Sequence, residues 1–212
     1  MKKLLSNYKF LFAINVVLIA IVSAFGPEEK NLGTNVKLVY IHGAWVLAAE
    51  LALIFAGLLG FAALFAEFLM KKKELADKFY TWSQALGLTG IIYWVTYLPL
   101  SMLAMQSNWN GLFLAEPRFR FALTFAIAGI LLQIGLWIMN DKRLLAMANI
   151  AYIIVLRVVF ANAANIMHPP PSPIFNSGNY TIMFFFVFLI VLTLSSALLV
   201  SLLWFDALKV KK

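Results

Sequence analysis

Six long apolar runs, separated only by short polar breaks, constrain this chain more than any other feature. They lie at about 9–25, 39–70, 79–103, 120–140, 144–165 and 180–205. A membrane-crossing helix needs roughly 20 consecutive, mostly apolar residues, and every run is close to that length or longer. The breaks are Gly26-Pro27-Glu28-Glu29, Lys71-Lys72-Lys73-Glu74, Ser107-Asn108-Trp109-Asn110-Gly111, Asn140-Asp141-Lys142-Arg143 and the proline cluster from Pro169 to Pro173. With 212 residues, 63% of them hydrophobic and 12% charged, nothing is left over for a separate water-soluble domain. The expected fold is all-α: one polytopic bundle of six transmembrane helices over residues 1–212.

The net charge of +8 would fit a nucleic-acid partner only if the charges shared a surface. They do not. One set of segments carries Lys2, Lys3, Lys9, Lys71, Lys72, Lys73, Lys78, Lys142, Arg143, Lys209, Lys211 and Lys212, and the alternate set only Lys30, Lys37, Arg118 and Arg120. By the positive-inside rule both termini are expected on the cytoplasmic face of the inner membrane, and the basic balance is a topology signal. The start, Met1-Lys2-Lys3 with Val22-Ser23-Ala24 after an apolar stretch, has the outline of a cleavable signal. Its apolar run is long for that role, so a retained first helix is expected.

Chemistry-bearing residues are few. Cysteine is absent, which excludes thiolate metal sites, disulfides and thioether attachment of a haem. The two histidines, His42 and His168, both fall on the outer side by the charge rule. Two interfacial aromatic rings among lipid headgroups would account for them. As metal ligands, they fall short of the three or four that zinc takes, unless Glu28, Glu29 or Glu116 joined them. Haem iron needs only two axial imidazoles. No Ser-His-Asp order, HExxH pair or phosphate-cradling glycine loop is present, and no reaction is expected of the chain alone. Glu50 and Arg157 lie inside apolar runs, where a lone charge is costly, so they are expected to pair. That pair either staples the bundle or places Arg157 beneath a haem. Arg118 and Arg120 open the fourth run, where snorkelling to headgroups suits both.

The segment Trp109-Asn110-Gly111-Leu112-Phe113-Leu114-Ala115-Glu116-Pro117-Arg118 resembles, without a gap, the tryptophan-rich loop of the CcmC-type cytochrome c assembly permeases, roughly WGTWWxWD-[AP]-R. Tyr40-Ile41-His42 with Ala44-Trp45 is similar to the family's first external histidine motif, and Met167-His168-Pro169-Pro170 to its second. The order of histidine, tryptophan loop and histidine agrees as well. Leu112, Phe113 and Ala115 stand where the family has further tryptophans, and Glu116 stands for aspartate. The resemblance implies a non-covalent haem b with His42 and His168 as axial ligands. It implies Trp45, Trp109, Glu116 and Arg118 as contacts, while Arg120 is a candidate by adjacency alone. It further implies a role in handling haem at the outer face, with a haem chaperone and apocytochrome among the partners. A fixed bis-histidine haem in an electron-transfer subunit, with other membrane subunits and a quinone as partners, is the alternative. A haem-free scaffold on the same fold is another.

Overall fold

A computed structural model describes residues 2–164, 174–175 and 178–210. The described residues form six helices: α1 (Lys2–Ala24), α2 (Val36–Phe68), α3 (Lys73–Trp109), α4 (Pro117–Met139), α5 (Lys142–Ala161) and α6 (Tyr180–Val210). All six are long and apolar enough to cross a membrane, and the chain is a multi-pass membrane protein. Among the described residues there is no strand, only an isolated bridge between Glu29 and Gly33.

Each apolar run becomes a helix because a membrane leaves the backbone no partner outside its own ladder. The ends depend on polar residues, and so differ from the runs. α3 begins six residues before its apolar run and ends six after it, at Trp109, where Asn110 follows with a φ of 53°, a left-handed stop that asparagine tolerates. The Glu116 side chain then caps α4, accepting from the Phe119 amide at 2.7 Å, with Pro117 in the first turn. Asn140 ends α4 at φ 50°, and the next residue, Asp141, caps α5 through the Arg143 and Leu144 amides at 2.8 and 3.1 Å. At 1.5 Å per residue α2 and α3 are each about 50 Å or more long, so both project beyond a hydrocarbon core of about 30 Å.

The centre of the bundle is the α2–α3 pair. Successive turns of α2 bury Ala44, Ala48, Ala52, Ala56 and Gly60, a small-residue stripe that lets neighbouring backbones approach. At Gly57 and Gly60 the approach is closest: a Cβ on Gly60 would sit 3.0 Å from the Ala146 carbonyl oxygen of α5. α5 packs on one side of the central pair and α6 on the other. α4 lies outside against α3 and α5, and α1 outside against α6 and α2.

Hydrogen bonds between buried side chains join these helices. Gln133 Nε2 of α4 donates to Asn149 Oδ1 of α5 at 3.2 Å, and Asn149 Nδ2 donates to the Ser83 carbonyl and Oγ of α3 at 3.0 and 3.1 Å. Ser83 Oγ donates to the Ala56 carbonyl of α2 at 2.8 Å, so four helices share one network. Toward α6, Tyr93 OH donates to Ser196 Oγ at 2.6 Å and Ser201 Oγ to Thr89 Oγ1 at 3.0 Å. At the end bearing the α2–α3 turn, Glu67 binds both Arg143 and the Tyr80 hydroxyl, and Lys142 reaches Asp77 at 2.8 Å.

Candidate functional site

The opposite end holds a cavity of about 1130 Å³, at the upper limit of ordinary small-molecule pockets. Its walls come from the α1–α2 connection, the first half of α2, the last turns of α3, the start of α4, the end of α5 and the start of α6. Asn35 Nδ2 ties the start of α2 to the Ser107 carbonyl near the end of α3 at 2.7 Å. The α1–α2 connection is pinned beside it: Glu29 accepts from the Asn31 and Leu32 amides, and Tyr40 OH donates to the Pro27 carbonyl at 3.2 Å.

Of the residues singled out in the sequence, His42, Trp109, Glu116 and Arg118 line this one cavity. They come from three segments and meet only because α2, α3 and α4 converge here. His42 is half-buried on α2, its ring 5.5 Å from that of Tyr97. Trp109 is the last residue of α3. Glu116 has two duties, since the carboxylate that faces the cavity also caps α4. His168 lies outside the described residues, but Ala163 and Ile174, the nearest lining residues on either side of it in the chain, are both in the wall.

Trp45 and Arg120 are not among the lining residues. Trp45 stacks on Tyr93 at 4.7 Å and donates from Nε1 to Thr96 Oγ1 at 2.8 Å, joining α2 to α3. Arg120 is exposed on α4. Arg118 and Arg120 are separated by about 200° around a helix, so they cannot share a wall. Leu112, Phe113 and Leu114, which stand in the tryptophan-loop segment, are exposed and also absent from the wall.

Glu50 and Arg157 pair as expected: Arg157 Nη1 donates to Glu50 Oε2 at 2.9 Å, and both line the cavity. The two are unequally sheltered, with 21% of the Glu50 side chain exposed against 55% of Arg157. Arg118 is within electrostatic reach of Glu50, so two guanidiniums act on this wall. Between these charges the lining is apolar and aromatic, with Phe119, Phe160 and Phe186 prominent. Phe186 and Tyr97 escape sequence reasoning because an aromatic residue in an apolar run looks the same whether it faces lipid or a cavity. Pro99 lies within α3 without ending it.

The wall thus offers an imidazole, two guanidiniums, three carboxylates and aromatic faces around a volume of small-molecule size. It suits a largely apolar molecule that carries a few polar or charged groups. Comparison with protein-family models, with curated proteins and with solved structures finds no match for this chain.

Proposed function

We propose that the chain binds haem b non-covalently in this cavity and presents it for cytochrome c assembly. The observation that carries the reading is the convergence of His42, Trp109, Glu116 and Arg118 on one wall. All four belong to the sequence motifs that carry the family resemblance. The wall also suits the molecule: His42 would hold the iron, His168 would supply the second imidazole, and Trp109, Phe119 and Phe160 would cover the ring. Arg118 and Arg157 would meet the propionates as charge-assisted partners. When bound, haem supplies a redox-active iron, and the protein supplies orientation, apolar cover and charge neutralisation. In this reading the cavity faces outward, both termini are cytoplasmic and the membrane is the inner one. A haem chaperone and an apocytochrome are the partners.

A second reading has one observation in its favour. The stretch from Leu112 to Ala115 contributes nothing to the wall, so the loop offers only Trp109 as an aromatic shelf before Glu116. A haem held without that shelf is better suited to staying than to being passed on. It would serve a b-type electron-transfer subunit, with other membrane subunits and a quinone as partners.

Purified protein should show a low-spin b-type spectrum, and His42→Ala or His168→Ala should each leave the iron five-coordinate or the site empty. Imidazole should refill the vacancy in either variant. A low-spin spectrum unchanged by His42→Ala removes that residue as a ligand. Ready transfer of haem to an apoprotein separates handling from fixed electron transfer.

A further inference from the structure

Among the described residues no Cα atom of α5 comes within 8 Å of one of α6; each helix packs on α2 and α3. Both nevertheless line the cavity, α5 through Arg157 and Phe160, α6 through Ile182 and Phe186. Between them the wall is the α2 face that carries Gly43, Leu47 and Glu50. At helical spacing this face continues through Ile54, Leu58, Phe61 and Phe65. Leu58, Phe61 and Phe65 are exposed by 57%, 63% and 43% on a helix of membrane-crossing length. Ile54, between Glu50 and Leu58, is half-buried, so this face of α2 leads from the exposed apolar residues up to the cavity wall. On α5, Ile154 lies one turn below Arg157 and is 56% exposed, so lipid also reaches up to the charged residue from that side.

We propose that the cavity opens sideways to the bilayer between α5 and α6, and takes from it an amphiphile with a carboxylate or phosphate head that Arg157 receives. An apolar body entering along α2 would pass Leu58 and Ile54 and leave its head level with Glu50 and Arg157. Arg157 suits that head because a guanidinium carries five N–H donors in a fixed fork, one of which serves Glu50. Glu50, the more sheltered partner, sets the charge against which an incoming anion must compete. The proposal goes beyond haem binding, since any bilayer amphiphile of this charge has the same access. A porphyrin dicarboxylate and an anionic lipid share the head chemistry.

The chain has no native cysteine, so single thiols report cleanly. Leu47→Cys labelled with bimane, in phosphatidylcholine nanodiscs, should be quenched by brominated acyl chains about as strongly as Leu58→Cys, the lipid reference. Asn31→Cys should respond to aqueous iodide instead. Spin-labelled stearate should bind in preference to its methyl ester, and Arg157→Gln should cut that preference about tenfold, as loss of a charge-assisted pair does. Arg157→Lys should retain most of it, which separates loss of charge from loss of fold. Glu50→Gln should raise the preference by freeing Arg157. A merely structural ion pair would make Glu50→Gln and Arg157→Gln act in the same direction. Displacement of stearate by haemin would place a porphyrin in the same opening and support the amphiphile class. Absence of displacement would make the occupant a lipid and overturn the haem reading alone. Quenching of Leu47→Cys by iodide but not by brominated chains, or an unchanged preference in Arg157→Gln, overturns the lateral opening.

Discussion

Removal of the Asn149 amide should cost the bundle about 2 kcal/mol, and the structure shows where each part of the loss arises. Asn149 is buried on α5 and makes three side-chain hydrogen bonds to other helices: one from Gln133 of α4 and two to Ser83 of α3. Bonds of this kind in membrane bundles average about 0.6 kcal/mol, because an unfolded helix in lipid also finds partners, so three come to about 2 kcal/mol. Asn149→Ala should lose that much, with a further packing loss where the amide lies against Gly87. The Ser83 hydroxyl keeps its bond to the Ala56 carbonyl in the variant, so the α2–α3 contact should survive while α5 loosens.

A double-mutant cycle assigns the parts. Ser83→Ala removes only the hydroxyl, and the bond to the Ser83 carbonyl persists, so its coupling to Asn149→Ala should be about 0.6 kcal/mol rather than twice that. Gln133→Ala should couple by a similar amount. Reversible unfolding in mixed micelles or by steric trapping measures both. If Asn149→Ala costs under about 0.5 kcal/mol and neither cycle shows coupling, the network is decorative and the small-residue contacts alone hold the helices.

Two further outcomes bear on the site and its orientation. Single cysteines at Asn31 and Lys73, exposed at opposite ends of the bundle, should be labelled by impermeant maleimide from opposite faces of the membrane, Lys73 from the cytoplasm; labelling of both from one face defeats the six-span topology. If the cavity holds haem as proposed, Trp109→Ala should speed haem loss about tenfold without unfolding the bundle, since an aromatic contact adds about 0.5–1.5 kcal/mol beyond its buried area; an unchanged off-rate removes the loop from the proposed site.

The architecture was legible because the strongest rule in a membrane is also the simplest to read. A run of twenty apolar residues has to become a helix, and six runs allowed no other class. The ends were less legible because capping side chains, not hydropathy, decide them. Glu116-Pro117 and Asn140-Asp141 each start a helix where the apolar run has not begun or has just ended. The stripe of Ala44, Ala48, Ala52, Ala56 and Gly60 stood in the sequence at four-residue spacing, yet hydropathy registers it only as part of a long span. Its meaning depends on a neighbouring helix close enough to need it, and nothing within α2 names that neighbour.

For the site, charge carried further than motif. Glu50 and Arg157 are far apart in sequence, but a charge within a span has few affordable surroundings, and each is the natural relief of the other. Their pairing then fixes the rotation of α2 against α5, because a helix that turns Glu50 toward Arg157 also turns Leu47 and Gly43 to the same wall. The histidine motif places His42 and Trp45 three residues apart, which turns their side chains about 60° from each other around the helix. Trp45 is accordingly directed to Tyr93 and Thr96 of α3, while His42 faces the cavity. Arg118 and Arg120, two residues apart, fall on nearly opposite faces. Residue type and spacing thus name the candidates, and only helix phase, set by partners on other helices, selects those that share a wall.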